Sequence, residues 1–264
     1  MIQTITDTWR KRAILWHFVN VLLSSSYRTK ALGFVWALLD PLLFMGVYYL
    51  VFGRILANRP PEFMLHIYVG VITFRFLNSS LSQGAGMLRG QGGLIREIPF
   101  PKTVLPVATV IARLFDFFAG WLVAIPLAFV FGHPPNVWWL MVPVFVLIQA
   151  LFVAGLTLIT TYVGLFFADI QNILNVGLRL WFYMSPVLYP LALVQEKTAD
   201  RPDLMALYLA NPITSVLQCY NAVVLDKGLP GGGYVLYGVG AGVAALLLGL
   251  WVFTRGEGQI AKYI

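Results

Sequence analysis

The chain has 264 residues, of which 59% are hydrophobic and only 11% charged, with a mean hydropathy of +0.79. A soluble domain averages about 25% charged residues, so a chain this apolar has no surface to offer water and is read as embedded in a membrane. The excess of 18 Lys+Arg over 11 Asp+Glu gives +7, which fits cytoplasmic loops facing anionic lipid rather than nucleic acid, because no basic run with interleaved aromatics lies outside the apolar stretches. A single cysteine, Cys219, excludes an intrachain disulfide.

The first stretch, Met1 to His17, has no apolar core followed by a small-residue cleavage site and is not a signal peptide. Ile5, Trp9, Ile14, Leu15 and Phe18 recur at helical spacing with Arg10, Lys11 and Arg12 between them. This pattern predicts an amphipathic helix lying in the membrane interface, within residues 1–30. A first span follows, roughly Phe34–Phe52. Asp40-Pro41 sits inside it, and Pro41 removes a backbone donor and disfavours helix at the preceding residue. The chain is therefore expected to bend there, from an apolar leader into the first membrane helix.

Phe63–Leu81 reads as a second span, interrupted by Arg75. Gln83 to Lys102 is a polar, glycine-rich connector carrying Met87-Leu88, Arg89, Gln91, Leu94-Ile95 and Arg96. A short amphipathic helix lying flat here would give a soluble partner something to push. Val104–Phe131 and Val137–Phe167 are the third and fourth spans, separated by a tight turn over Gly132–Asn136, and Asp169 and Asn172 mark the turn that follows. Ile173–Val194 is the fifth span, but Arg179, Pro186 and Pro190 break it. Its uninterrupted part, Ile173 to Ser185, is short for a crossing at about 1.5 Å per residue. Ser185–Pro190 is therefore read as a re-entrant turn, a form tolerated at membrane depth where protein or water covers it. Within the moderately apolar Leu204–Val224, Asn211 is suited to cap a helix and Pro212 to open it; that helix reads as amphipathic. Tyr234–Phe253 is the sixth span, where Gly238 and Gly242 permit close helix packing.

The expected fold is thus all-α and integral to the membrane: one domain over 1–264, with six transmembrane helices, an N-terminal interface helix and re-entrant segments between helices five and six. With the N-terminus inside, loop cations outnumber those outside by two to one, so both termini are expected in the cytoplasm.

No G-x-x-x-x-G-K-[ST], G-x-S-x-G or H-E-x-x-H motif occurs, and His17, His66 and His133 have no partners at metal-ligand spacing. Metal chemistry and ATP hydrolysis by this chain are therefore not expected. The carboxylates a membrane transferase would need are Asp40, Asp116 and Asp169. Charges inside apolar spans cost at least about 2.5–3.5 kcal/mol each on insertion scales. Arg113 and Asp116 share a helix face and form an ion pair or line a polar path. Arg75 and Arg179 have no partner nearby in sequence. Tyr48, Tyr49, Phe74, Trp181, Phe182, Tyr183 and Tyr189 form either an interfacial belt or a surface on which sugar rings stack.

Five segments, taken in order, resemble one family. They are Leu32-Gly33-Phe34-Val35-Trp36-Ala37-Leu38-Leu39-Asp40-Pro41-Leu42, Ile98-Pro99-Phe100-Pro101-Lys102, Phe167-Ala168-Asp169-Ile170, Phe182-Tyr183-Met184-Ser185-Pro186-Val187-Leu188-Tyr189 and Asn211-Pro212. The set resembles the ABC-2-type permeases that export polysaccharides, among them the O-antigen (Wzm-type), capsule and wall teichoic acid exporters. The resemblance implies a homodimer in the bacterial cytoplasmic membrane, served by two copies of a separate ATPase chain that carries ATP and Mg, with no cofactor in this chain. It implies a cytoplasmic coupling loop over 84–102 with a coupling helix within Met87–Arg96 (Met87, Leu88, Arg89, Gln91, Leu94, Ile95 and Arg96) and an extracytoplasmic gate region over 185–233. The substrate it implies is a lipid-linked glycan, held by its pyrophosphate while the polymer threads a channel lined by aromatics. Tyr48, Tyr49, Phe74, Arg75, Arg179, Trp181, Phe182, Tyr183 and Tyr189 would border that path, with a hinge at Asp40 and Pro41. Where the family usually has Asn or another residue before the proline, this chain has Asp40. Its role is open between hinge acceptor, partner of a buried arginine and passive substitution. A drug or small-lipid exporter and a membrane glycosyl- or phosphotransferase are the alternative readings.

Overall fold

The computed structural model describes residues 10–27, 32–55, 62–97, 100–167, 169–226 and 228–263. Ile5, Trp9, Arg28, Lys30, Arg59, Ile98-Pro99, Ala168 and Lys227 lie outside the described residues, as do the side chains of Phe52, Arg54 and Lys262. Among the described residues the regular structure is helical. The helices are α1 Arg12–Tyr27, α2 Val35–Tyr48, α3 Glu62–Gly90, α4 Gly92–Glu97, α5 Val104–Val130, α6 Val142–Phe166, α7 Ile170–Tyr183, α8 Leu191–Lys197, α9 Pro202–Leu209, α10 Pro212–Val224 and α11 Gly232–Tyr263. A wider π turn, Tyr49–Ile55, continues α2, and a 3₁₀ turn, Val137–Met141, leads into α6. Val104–Val130, Val137–Phe166 and Gly232–Ile260 are long and apolar enough to cross a membrane, and Val35–Val51 is a shorter apolar helix. The protein is an integral membrane protein.

α3 and α6 form the centre. α3 packs on α5, α6, α2, α7 and α10, and α11 runs along α6. α3 is buried at most positions along its length, so its many apolar residues face protein rather than lipid. Gln149 of α6 satisfies two buried groups at once: its Nε2 donates to the Thr73 carbonyl (2.8 Å) and its Oε1 accepts from Tyr220 Oη (3.0 Å). This ties α3, α6 and α10 together where an unpaired amide would be costly.

Glycines set the closest helix approaches. A Cβ on Gly155 would fall 2.2 Å from the Ala245 carbonyl carbon, and one on Gly249 would fall 2.3 Å from the Gly155 oxygen. Gly238 and Gly242 also face α6, as their spacing suggested, but less tightly, at 3.3 and 3.0 Å from Ile148 atoms.

Several expectations are corrected. The polar connector expected from Gln83 is instead the last two turns of α3, and only Gln91 breaks the helix before α4. Gly84 and Gly86 are contact surfaces rather than loop formers. A Cβ on Gly84 would meet Thr157 Cγ2 at 2.6 Å, one on Gly86 would meet Gln171 Nε2 at 2.5 Å, and one on Gly164 would meet the Ala85 carbonyl oxygen at 2.0 Å. The break before the first apolar helix lies at Gly33, whose φ of +48° suits a residue without a Cβ. α2 then passes through Asp40-Pro41 without interruption. α10 is buried on nearly every face rather than amphipathic, because α3, α6 and α11 surround it. α11 continues past Phe253 to Tyr263, where Glu257 accepts a hydrogen bond from the Lys102 backbone N–H at 2.9 Å.

Other expectations agree with the structure. α1 presents Leu15, Phe18, Val19 and Leu22 to α5 and leaves Arg10, Lys11 and Arg12 exposed. The turn at Gly132–Asn136 separates α5 from α6. Asn211 caps α10 by accepting from the Ile213 N–H (3.1 Å), with Pro212 opening the helix.

Candidate functional site

One wall of the subunit, formed by α2, α3 and α7, encloses an open-sided cavity of about 530 Å³. Two polar stripes at helical spacing build it. On α3, Arg75, Asn78 and Ser79 fall on one face, and Ser82 and Gln83 continue that face into an adjoining recess. On α7, Gln171, Asn175 and Arg179 stand four residues apart. Aromatic rings supply the rest. Phe44 stacks on Tyr48 (centroids 5.9 Å apart), Tyr48 reaches Phe182 (6.3 Å), and Phe74 meets Phe182 edge-on (5.1 Å). Arg75 stands 13 residues from Glu62 and 15 from Gly90, at the middle of α3.

The in-span charges resolve into pairs. Arg75 Nη1 meets Asp40 Oδ2 at 2.7 Å, with both side chains partly open to the cavity. The partner that Arg75 lacked in its own segment thus comes from α2, and Asp40 is the ion-pair partner of this half-buried arginine. Arg113 Nη1 meets Asp116 Oδ2 at 2.5 Å and is largely covered. That second pair also holds α1: Tyr27 Oη donates to Asp116, and Arg113 Nη2 donates to Ser26 Oγ at 2.9 Å. A recess of about 260 Å³ joins the two pairs. Arg179 has no ion-pair partner among the described residues and lies on the exposed side of α7. Asp40 and Asp116 do share the recess, but each is neutralised by an arginine, while Asp169 flanks the start of α7. The carboxylates therefore form no free cluster of the kind a transferase would use.

The cavity gathers Asp40, Pro41, Tyr48, Phe74, Arg75, Arg179, Phe182 and Tyr183. It leaves Tyr49, Trp181 and Tyr189 outside. Trp181 points inward, its Nε1 donating to Asn211 Oδ1 at 2.9 Å with its ring edge-on to Phe152. Tyr189 Oη donates to the Tyr183 carbonyl (2.7 Å) and pairs with Tyr208 Oη. The turn these residues bracket, Ser185–Leu188, is buried, and Gly70 of α3 lets it approach: a Cβ there would fall 3.0 Å from the Val187 oxygen. Asn78, Ser79 and Asn175 were not among the residues expected to border the path. The four-residue recurrence of Gln171, Asn175 and Arg179 was the available signal.

A family model described as ABC-2 type transporter matches residues 14–224. The chain belongs to the ABC-2 type transporter family. The ordered motifs of the sequence had pointed to this family. The ABC-2 permease is also similar along most of its length to proteins of known role. It is 33% identical over 230 residues to the O-antigen export system permease protein RfbA of Myxococcus xanthus, covering 87% of each chain. It is 24% identical over 246 residues to the protein of the same name from Klebsiella pneumoniae, covering 93% of this chain and 92% of that one. It is 23% identical over 245 residues to the polysialic acid transport protein KpsM of Escherichia coli, covering 88% and 89%.

In this ABC-2 permease the segment expected from the resemblance to carry coupling divides by burial. Met87, Leu88 and Ile95 are buried in a core with Phe18 of α1 and Phe253 of α11. Gln91 and Leu94 are half-buried, and Arg89 and Arg96 are exposed. Arg89 also donates through Nε and Nη2 to the Leu165 carbonyl, at 3.2 and 3.0 Å. That contact satisfies an orphan carbonyl at the C-terminus of α6.

Proposed function

We propose that this chain is the permease subunit of an exporter that moves a lipid-linked polysaccharide of the O-antigen type, carried on undecaprenyl pyrophosphate, across the bacterial inner membrane. It works as a homodimer of six-span subunits with both termini in the cytoplasm. Two copies of a separate ATPase chain, holding ATP and Mg, drive it. The observation that carries the reading is the open-sided cavity at the middle of α3, where aromatic faces alternate with amide, hydroxyl and guanidinium groups. Sugar rings offer an apolar C–H face to aromatics and hydroxyls to polar groups, so this mixture suits a glycan better than the purely apolar lining a small lipid would favour. Ionisable residues at such depth mark substrate paths, and a second copy would close the open side. In this reading α4 and the exposed Arg89 and Arg96 face the ATPase, and Ser185–Val194 with Pro212–Val224 forms the extracytoplasmic gate. The test is deletion of the gene together with affinity purification of the tagged chain. Loss of a surface glycan and recovery of a nucleotide-hydrolysing partner are expected. Undiminished surface glycan with no ATPase recovered overturns the proposal.

A further inference from the structure

We infer that the cavity selects glycans without charge along the polymer and disfavours polyanionic ones, and that Asp40 sets this preference. The inference rests on the cavity being part of the glycan path. Its lining contains two guanidinium groups and one carboxylate, and the carboxylate is taken by Arg75 at 2.7 Å. In the recess behind, Arg113 is likewise held by Asp116, and the hydroxyls of Ser26 and Tyr27 complete that pair. Two of the three arginines at this depth are therefore neutralised before any substrate enters. A polymer carrying a carboxylate on every sugar would meet, among the described residues of the cavity, only Arg179 as an unpaired cation, because Asp40 already occupies Arg75. Each additional anion would give up part of its hydration on entering without gaining a counter-charge. A neutral glycan has no such cost. Asn78, Ser79 and Asn175 offer it donors and acceptors, and Phe74 and Phe182 offer ring faces.

Asp40→Asn would release Arg75 and give the cavity a second unpaired cation. Asp40→Asn with Arg75→Gln would remove the pair altogether and return the wild-type balance. The series therefore separates charge from any loosening of the α2–α3 contact.

The experiment uses proteoliposomes holding the permease with its ATPase. The probes are an oligomannoside and the oligomannuronide made from it by oxidation at C6, both on undecaprenyl pyrophosphate, so the two differ only in carboxylates. Stimulated ATP turnover is followed against probe concentration. For the wild type, the oligomannoside should act at about fivefold to tenfold lower concentration, the order that one screened charge contact supplies. Asp40→Asn should narrow that gap to about twofold or less, an effect weakened by salt, and the double variant should restore it. Equal or better stimulation by the oligomannuronide in the wild type, or a ratio that Asp40→Asn leaves unchanged, overturns the inference while leaving glycan export intact. Failure of both probes to stimulate turnover or to be transported removes the export reading, and this inference with it.

Discussion

The contact between Gly164 and Ala85 decides whether the C-terminal end of α3 is a packed helix, and Gly164→Ala tests it. The added methyl would fall 2.0 Å from the Ala85 carbonyl oxygen and 2.8 Å from its carbonyl carbon. Ordinary van der Waals contact begins near 3.4 Å, so α3 and α6 would have to separate by about 1.4 Å. The obstacle is backbone and has no rotamer into which to retreat. Overpacking of this kind costs about 1–3 kcal/mol, partly offset by the higher helix propensity of alanine, about 1 kcal/mol. Gly177→Ala on α7 supplies the control, because its Cβ would meet nothing within 4 Å. It should gain the propensity term alone. With the cost at the upper end of that range, because the obstacle is backbone, the net loss of about 2 kcal/mol lowers the thermal midpoint by roughly 4–8 °C in a chain of this size, read in detergent by intrinsic fluorescence. Gly164→Ala should fall by that order while Gly177→Ala holds or rises. If both variants melt at or above the wild-type temperature, α3 does not approach α6 at Ala85, and the segment after Gln83 is the free connector that composition suggested.

Asp116→Asn should lower the midpoint more than Tyr27→Phe. The first strands a covered guanidinium, a loss of about 3–5 kcal/mol, whereas the second removes one hydrogen bond, about 1–3 kcal/mol; equal effects would mean that Arg113 is solvated. Asn211→Ala should destabilise by the lost cap, about 1 kcal/mol, and further by leaving Trp181 Nε1 and Ser185 Oγ without Asn211. Asn211→Asp, which keeps the acceptor but not the donor, should fall between Asn211→Ala and the wild type in the same melt. Arg96→Glu, at an exposed position on α4, should lower glycan-stimulated ATP turnover with the partner ATPase without shifting the melt. Unchanged turnover would remove Arg96 from the coupling surface.

Asn211-Pro212 was legible as a helix start because a cap acts over two residues, and the tight turn at Gly132–Asn136 was legible for the same local reason. The apolar runs from Val104 and Val137 could be read because spanning a bilayer is a property of length and composition. The family motifs were also legible, since they are short and keep their order. The connector after Gln83 was misread because glycine has two uses: it frees a backbone in a loop, and it lets two helices touch. Only the presence of Thr157 and Gln171 opposite Gly84 and Gly86, and of Gly164 opposite Ala85, distinguishes the second use.

The sequence by itself determined that this protein lives in a membrane, that its chain is helical, and which residues are too polar to be there without a reason. What those residues do was decided by tertiary structure. Asp40 and Arg75 are 35 positions apart and become one neutral pair only because α2 lies against α3. Arg113 found Asp116 on its own helix, yet its link to α1 through Ser26 and Tyr27 spans most of a hundred residues. Arg179 is left unpaired because no carboxylate on a neighbouring described helix reaches it. Burial, which sets the energy of every charge, depends on which helices meet, and local pattern carries no record of that.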